Sequence, residues 1–331
     1  MKTVEPAKIL PRVWIILFVA VLAIALILLF LSQADRGRRP APAMPFVEDD
    51  SAGTITFMDD ERPVLTYRYG DQLPAGLDAK QTRSSYIHPL YSLDGEVLTA
   101  DFPADHLHHH GLFWAWPVVE VRGVKTSNWE PAEPSLRQHF VKWVRGASDG
   151  RIVRRVLENV WKLGESENVV REKVEITAHS ASSLGRVIDV KIVLRPIGGP
   201  IMLRGAPADN KGYGGLCFRG APLFAGAAMT TDEGPLAADS TGKPFRWVDL
   251  STAELGIAIF VSPDHPAYPV GWLARNSYAG VLNPSWPGLT GATLAADVPV
   301  SLRYRVYIHR GDCVAGRVKE AYEAYIAGPG R

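Results

Sequence analysis

The stretch of chain with the clearest capacity for chemistry is DFPADHLHHHGLFWAW, residues 101–116. It contains four of the nine histidines, which are His106, His108, His109 and His110. Neutral imidazole is the usual proton carrier near pH 7, and histidines clustered beside carboxylates are typical of a functional site. The cluster therefore favours an enzyme in which His106, His108 and His109 act as catalytic acid or base groups.

The same histidines are also candidate metal ligands. If the segment is extended, His106, His108 and His110 share one side and His109 faces the other. The pair His106 and His108 could then chelate a divalent transition metal, with Asp105 as a further ligand or as the group that orients an imidazole. The sequence does not fix a third ligand, so the cofactor is left open. A histidine-rich turn packed on neighbouring tryptophans is the purely structural alternative.

Three other loop-like segments supply candidate substrate-binding residues: residues 82–95, residues 209–220 and the proline-rich residues 263–288. The residues expected to bind substrate are Arg83, His88, Arg219, His265, Trp272, Arg275 and Asn283. An arginine can bind an anionic or carbonyl oxygen, and a tryptophan face can stack on a sugar ring. The structural alternatives are an ion pair with a nearby aspartate, a plain flexible loop, and burial of the tryptophan in the core.

Several of these segments belong to a longer ordered pattern. The stretches that carry it are YIHPLYSLDG (86–95), DHLHHHGLFWAW (105–116), KGYGGLCFRG (211–220), TGKPFRWVD (241–249), DHPAYPVGWLAR (264–275), LNPSWPG (282–288) and LRYRVYIHRG (302–311). In this order they resemble the bacterial family labelled methane-oxygenase PmoA-like. His106, His108 and His109 fall on the pattern, whereas His110 stands where the pattern is basic or variable.

The resemblance implies a fold and a substrate class. Members of that family resemble galactose-mutarotase-like supersandwiches and tend to occur among carbohydrate-degradation proteins, so a small-molecule or glycan substrate is the expected partner. Methane oxidation is not expected, because a methane oxygenase subunit crosses the membrane several times and this chain has one apolar span.

Composition excludes several other classes of protein. The 331 residues carry 36 Lys and Arg against 35 Asp and Glu, a net charge of +1, which argues against a nucleic-acid-binding protein. A hydrophobic content of 47% excludes wholesale disorder. Cys217 and Cys313 are too few for a disulfide scaffold, and whether they form one bridge is left open. There is no nucleotide-binding fingerprint.

Hydrophobic periodicity predicts an all-β protein, a large antiparallel β-sandwich. Period-two alternation marks strands at residues 168–179, 186–194 and 301–309, and hairpins around residues 59–63 and 149–150. Only residues 314–327 have helical periodicity, with Val314, Val318, Ala321, Tyr322 and Tyr325 on one stripe. Many strands with one terminal helix favour a sandwich over a βαβ fold.

The amino-terminal region is expected to lie apart from this sandwich. Residues 13–31 are an unbroken apolar run, which predicts a transmembrane anchor over residues 13–32 behind a short tail, residues 1–12. A cleaved signal peptide is the alternative. A linker is expected over residues 33–50 and the β-sandwich domain over residues 51–331. The domain is expected outside the cytoplasm, tethered to the membrane, or secreted if the segment is cleaved.

Three functional hypotheses follow from these residues. The first is a carbohydrate-active enzyme that uses the histidines for acid–base chemistry on a sugar or sugar acid, as an epimerase, lyase or hydrolase. The second is a metal-dependent hydrolase or oxidase with histidine ligands. The third is a non-catalytic carbohydrate-binding or envelope scaffold module.

Overall fold

The computed structural model describes residues 45–328, which form 22 β-strands and one α-helix. The strands of the first half are β1 (Phe46–Asp49), β2 (Thr54–Asp59), β3 (Arg62–Arg68), β4 (Tyr86–Leu90), β5 (Leu112–Ala115), β6 (Val118–Val121), β7 (Val124–Thr126), β8 (Leu136–Ser148), β9 (Ile152–Leu163), β10 (Glu167–His179) and β11 (Gly185–Pro196). Those of the second half are β12 (Ile201–Arg204), β13 (Gly215–Arg219), β14 (Ala228–Thr231), β15 (Gly234–Leu236), β16 (Ser240–Phe245), β17 (Trp247–Ser251), β18 (Leu255–Val261), β19 (Val270–Arg275), β20 (Val281–Pro284), β21 (Ala292–Leu294) and β22 (Val300–Arg310). The helix, α1, is Val318–Ala327.

The strands form two large sheets and a small one, and the prediction of an all-β antiparallel protein is confirmed. The first sheet has nine strands in the order β1-β2-β3-β4-β5-β13-β20-β19-β16. The second also has nine, in the order β15-β14-β17-β18-β22-β11-β10-β9-β8. The small sheet has the order β21-β12-β6-β7. The hairpin turns expected at residues 59–63 and 149–150 join β2 to β3 and β8 to β9.

The hydrophobic core lies between the two large sheets. The inward residues of β10 alternate as the sequence predicts, and Val174 and Ile176 are fully buried. Val174 pairs across the sheet with Ile192, and both belong to a cluster that also includes Trp114 and Trp272 of the first sheet. Burying one such aliphatic side chain contributes roughly 1.5–3 kcal/mol. The core therefore fixes which face of each strand is turned outward.

The carboxy-terminal helix covers the outer face of the second sheet, and two details differ from expectation. The helix begins at Val318, whereas Val314 is 84% exposed in the preceding turn. Tyr307, which alternation places on the outside of β22, is buried because Val318 and Tyr322 of the helix pack in the same apolar cluster.

The folded region also begins before the expected boundary at residue 51. Strand β1 lies inside the expected linker and pairs with β2 from Phe46↔Phe57 to Asp49↔Thr54. Its four side chains are exposed, so no burial pattern marks it in the sequence. The expected tail, the anchor at residues 13–32 and residues 33–44 of the linker lie outside the described residues. Within residues 45–328, no helix is both long and apolar enough to cross a membrane.

The two cysteines are free thiols. Cys217 is fully buried in β13, and Cys313 lies in the turn before the helix. Burial raises the pKa of the Cys313 thiol to about 12, so the thiol is not a reactive nucleophile near neutral pH.

Candidate functional site

The histidine segment lies in the connection between β4 and β5. Backbone hydrogen bonds that close on His106 and His109 fold it into two successive turns, and a bridge between Asp101 and His110 joins its ends. The expected extended conformation, with His106, His108 and His110 on one side, is therefore wrong. The turns bring His106, His108 and His109 together, while His110 is paired with Asp101 instead.

The end of this loop depends on a glycine. Gly111 has φ +56°, and a Cβ there would overlap the carbonyl oxygen of Ile87 on β4. The Gly111 oxygen accepts a backbone hydrogen bond from Arg219 N, and the Arg219 oxygen accepts one from Ala100 N. The loop is therefore held at both ends against β13, the strand that carries Arg219.

The three imidazoles form a compact cluster. His106 and His109 stack with ring centroids 4.7 Å apart, and His108 stands nearly perpendicular to both, at 4.8 Å from His109 and 5.6 Å from His106. All three line one cavity of about 220 Å³. The structure therefore brings together the three residues that the sequence proposes as catalytic.

A buried arginine holds two members of this cluster in place. Arg219 is 5% exposed, donates from Nη2 to Asp105 Oδ2 at 2.6 Å, and has Nη1 3.4 Å from His109 Nδ1. His106 Nδ1 lies 3.1 Å from the same Asp105 oxygen, without the alignment of a full hydrogen bond. Arg219 thus contacts His109 and Asp105 and is placed to position both, while its expected role in binding substrate stays a prediction.

These surroundings decide how the site is charged. Burial lowers the pKa of His109 to about 2, and the neighbouring histidines and Arg219 add to the effect. Burial also lowers the pKa of His108, although the Glu130 carboxylate opposes this change. Partial burial raises the pKa of Asp105, but contacts with Arg219 and His106 outweigh it and lower the value to about 2. At neutral pH the site therefore has neutral imidazoles at His108 and His109 beside an ionised Asp105.

The histidine cavity adjoins a second, larger one. The larger cavity has a volume of about 340 Å³ and is lined in part by Arg83, Arg137 and His110. His108, Trp129 and Glu130 line both cavities. His108 Nε2 lies 3.6 Å from Glu130 Oε1. The two cavities therefore meet at His108.

The smaller cavity has aromatic and cationic walls that were only partly anticipated. Its lining includes Trp129, Tyr213, Tyr278, Lys211 and Arg275. Of these, Arg275 was expected to bind substrate. The two tyrosines were missed, although each lies in a segment that the sequence marks as unusual.

Tyr278 stands out among these side chains. It is 46% exposed, its ring is 5.1 Å from the His106 ring, and its backbone is in the left-handed region at φ +73°. A bulky residue rarely adopts this conformation, and such strain is concentrated at functional sites. Tyr278 therefore covers the histidines from the solvent side.

Arg83 lies on a polar network below the larger cavity. Its guanidinium donates to the carbonyl oxygens of Asn128 and Trp114. Burial lowers the Arg83 pKa to about 10, and the charge of Glu172 opposes this effect. Arg83 thus lines a cavity wall, with one N–H donor of each of its terminal nitrogens already bound to a backbone carbonyl oxygen.

Glu172 is the buried carboxylate of this network, and sequence reasoning missed it. It is fully buried and accepts hydrogen bonds from Trp114 Nε1 at 3.1 Å, Trp161 Nε1 at 2.8 Å, Asn159 Nδ2 at 2.8 Å and Gln138 Nε2 at 3.4 Å. Burial raises the pKa of Glu172, while these four donors oppose the rise. The sequence did contain a signal for it: Glu172 alternates with the residues of β10 whose side chains point into the core, such as Val170 and Val174.

Besides Arg219, four expected substrate-binding residues lie outside both cavity linings. Trp272 is fully buried in the core, where its indole donates to Phe245 O at 2.9 Å, so it cannot stack on a sugar. His265 is buried with Nε2 3.0 Å from Tyr304 Oη. His88 Nδ1 lies 2.9 Å from Thr99 Oγ1. Core packing or a hydrogen bond within the protein therefore engages all three side chains, and none of them lines either cavity.

Asn283, the fourth, shapes the site indirectly. Its Oδ1 accepts from Gly214 N at 3.1 Å and its Nδ2 donates to Leu216 O at 2.5 Å. These bonds fix the glycine-rich loop that presents Lys211 and Tyr213 to the smaller cavity. Asn283 therefore positions a wall of the cavity.

A further histidine–carboxylate pair lies beside the cluster. His110 Nδ1 is 3.0 Å from Asp101 Oδ1, and Asp101 Oδ2 accepts from Tyr86 Oη at 2.9 Å. Burial lowers the pKa of His110 and raises that of Asp101. This pair anchors the loop on which the cluster sits.

The expected metal pair, His106 and His108, has no third ligand in this arrangement. Among residues 45–328, no group of three or more His, Cys, Asp or Glu side chains is placed to hold a metal ion. The two rings are nearly perpendicular, with centroids 5.6 Å apart. Metal binding therefore stays an alternative hypothesis.

Comparisons with known proteins give a family and a set of similar folds. A family model described as "Family of unknown function (DUF6807)" matches residues 54–323. No protein of curated function matches the sequence.

Among solved structures, the chain is similar to a mutant of a heparan sulfate lyase from Pedobacter heparinus, with TM-score 0.44, 10% identity, and coverage of 84% of this chain and 38% of the lyase. It is similar to galactose 1-epimerase from Lactobacillus acidophilus NCFM, with TM-score 0.42 and 10% identity. The match covers 81% of this chain and 94% of the epimerase. It is also similar to a GalM/aldose epimerase homologue from C. elegans, with TM-score 0.36 and 7% identity. The match covers 82% of this chain and 100% of the homologue.

Proposed function

We propose that this protein, which belongs to the DUF6807 family of unknown function, is a carbohydrate-active enzyme that uses histidine acid–base chemistry on a sugar or sugar acid. The observation that carries the proposal is the convergence of His106, His108 and His109 on one cavity, with ring centroids no more than 5.6 Å apart. The TM-scores of the similar structures are below 0.5, so the proposal rests on the site itself.

His108 is the proposed general base. It lies at the junction of the two cavities, and its lowered pKa leaves the imidazole neutral and able to accept a proton near pH 7. The Glu130 carboxylate, 3.6 Å from His108 Nε2, keeps that imidazole more basic than burial alone would leave it. The proton that His108 takes up therefore has a counter-charge at hand.

His106 and His109 have different roles in this scheme. The ionised Asp105 offers a counter-charge to a proton carried by His106, which makes His106 the second proton carrier. His109, with its pKa lowered to about 2, is too weak a base for this task. Because Arg219 faces its Nδ1, His109 acts as a fixed neutral hydrogen-bonding group.

The cavity walls favour a sugar as the substrate. Trp129, Tyr213 and Tyr278 offer aromatic surface beside polar groups, the combination that suits the apolar face and the hydroxyls of a pyranose.

Two proton carriers on one cavity could catalyse either of two reactions of sugars. In ring opening, the base takes the O1 proton, the C1–O5 bond breaks, and the acid protonates O5. In elimination, the base takes the C5 proton of a uronate, the C4–O4 bond breaks, and O4 is protonated.

The test is an activity screen of the full chain. Mutarotation of freshly dissolved α-glucose and α-galactose would be followed by polarimetry, and elimination from uronate polysaccharides by the ultraviolet absorbance of the unsaturated product. His108→Gln is expected to lower the active reaction at least about 100-fold. His179→Gln is the matched control, because His179 pairs with Asp189 outside both cavities. Unchanged activity in His108→Gln would overturn the proposal.

The metal hypothesis makes a different prediction. It requires near-stoichiometric transition metal in the purified chain, lost in His106→Ala or His108→Ala, and activity abolished by a chelator. Histidine acid–base chemistry instead predicts that activity survives dialysis against the chelator. Elemental analysis together with that assay separates the two.

Three finer expectations are part of the proposal. They are the supersandwich arrangement of the sheets, the kinship with the PmoA-like family, and a membrane tether with the domain outside the cytoplasm. Fractionation of cells that produce the full chain, with protease protection of intact cells, tests the last of these.

A further inference from the structure

Arg275 differs from the other cationic side chains around the histidine cavity. Arg219 is neutralised by Asp105 at 2.6 Å, and Lys211 by Asp209 at 3.0 Å. The Arg275 side chain lines the same cavity and is half-buried, yet its guanidinium has no hydrogen-bond or ion-pair partner among residues 45–328. Its Nε is buried without an acceptor. Because this guanidinium faces the cavity and its N–H donors are not used by the protein, it is available to bind an external anion.

The carboxylates near this cavity do not serve as that anion. Glu130 also lines the cavity, but its carboxylate faces His108 Nε2 at 3.6 Å and makes no ion pair with Arg275 among the described residues. Asp105 is held by Arg219 and lies beside His106. Arg275 therefore keeps its planar fork of donors for a ligand.

The position of Arg275 limits what this ligand can be. Tyr213, Tyr278 and Trp129 line the same cavity, so an anionic group bound by Arg275 belongs to a molecule that also presents a ring to aromatic side chains. The histidines lie on the same cavity, which places the anionic group close to the reacting atoms. Guanidinium binds planar and tetrahedral oxyanions in bidentate fashion.

We infer that the histidine cavity binds an acidic sugar, with Arg275 as the residue that pairs with its carboxylate or sulfate group. This inference rests on the proposed function and narrows its substrate class from sugars in general to anionic ones. Arg275 then performs the binding task that the sequence also assigned to Arg219, whose guanidinium is used inside the protein.

The experiment is calorimetric titration of the full chain with three probes: glucuronate, its uncharged methyl ester and glucose 6-sulfate. An acidic probe is expected to bind at least about tenfold more tightly than the ester, because charge-assisted hydrogen bonds are the strong ones. The better of the two acidic probes identifies carboxylate or sulfate as the anion. Arg275→Gln is expected to abolish the preference and Arg275→Lys to retain part of it. Arg303→Gln is the control, since Arg303 lies on β22 outside both cavities.

The outcomes separate this inference from the proposed function. Equal binding of ester and acid, a preference that survives in Arg275→Gln, or no binding of any probe would overturn the inference. Selective binding in His108→Gln together with lost turnover supports both ideas. Selective binding with turnover unaffected by His108→Gln supports the inference and overturns the proposed function. Thermal unfolding of each variant shows that the fold is retained.

Discussion

At the scale of single residues, each imidazole of the cluster is set apart by the groups that it contacts. Arg219 faces His109, Asp105 lies beside His106, and Glu130 lies beside His108. Three histidines within four positions therefore have three different electrostatic environments. This is the condition under which neighbouring titratable groups take different roles in acid–base catalysis.

Tyr278 offers a test of the strained wall of the cavity. Tyr278→Asn is expected to leave the free energy of unfolding unchanged or to raise it by up to about 1 kcal/mol, because asparagine tolerates the left-handed backbone at φ +73°. The same variant is expected to weaken sugar binding, since the exposed ring is lost. Urea denaturation and sugar titration measure the two effects, with Tyr278→Phe as the control that keeps the ring. A loss of stability above about 1 kcal/mol in Tyr278→Asn would contradict this role.

The sequence identifies some residues of this site and misses others. Residue type and clustering are enough to find His106, His108 and His109, because histidines clustered beside carboxylates are typical of a functional site. The same reasoning does not show that Trp272 and His265 lie outside both cavities, since a side chain in a proline-rich segment can still point into the core. Tyr278 lies in the proline-rich segment and Glu130 in no marked segment, and only the approach of distant loops in the fold shows that both line the cavity.

At the scale of secondary-structure elements, alternation predicts the strands well and the loops poorly. In β10 and β11 every second residue is buried because one face meets the core, so period two is visible. The loop at residues 91–111 is shaped by backbone turns and by Gly111 against β4, which no periodicity records. Strand β1 was missed for a related reason, since all four of its residues are exposed.

Strand β10 also carries the buried charge that supports the larger cavity. Glu172→Gln places an amide N–H₂ among N–H donors and leaves buried groups without a hydrogen-bond partner, so it is expected to lower the free energy of unfolding by about 1–3 kcal/mol. Glu175→Gln, on the outer face of the same strand and paired with Arg154, is expected to cost less than about 1 kcal/mol. Urea denaturation followed by tryptophan fluorescence compares the two variants. Equal effects would show that Glu172 is not the centre of the network.

At the scale of the whole molecule, the first sheet and its loops carry the site. The histidine loop leaves β4 and enters β5, Arg219 ends β13, and Arg275 ends β19, all in the first sheet. The second sheet contributes Glu172 from below. The order β4-β5-β13-β20-β19 brings together residues that lie far apart in the chain, which is why sequence spacing alone could not show that Arg275 joins the histidines.

Buried histidines also make the stability of the molecule depend on pH. Burial lowers the pKa of His88 and His265 to about 4 and that of His109 to about 2, against an ordinary value of 6.5. Below pH 6.5 the unfolded chain takes up protons that the folded chain refuses, so stability falls as the pH is lowered towards 4. Between pH 6.5 and its folded-state pKa, each such histidine lowers the free energy of unfolding by about 1.4 kcal/mol per pH unit.

Urea denaturation at pH 7 and pH 5 measures this dependence. The midpoint is expected to be lower at pH 5, and His265→Gln is expected to reduce the difference by about the share of one histidine. Above pH 6.5 these histidines are neutral in both states and contribute no slope. A midpoint that is equal at the two pH values would show that these histidines can be protonated in the folded chain.

The central claim, that His108 is the base, is tested most directly by the pH dependence of kcat/KM in the wild type and in Glu130→Gln. Protonated His108 is inactive in this scheme, so activity is expected to fall in acid with an apparent pKa below 6.5. Glu130 raises the His108 pKa, so its removal is expected to move this acidic limb to lower pH. An acidic limb that does not move, or that moves to higher pH, would contradict the account.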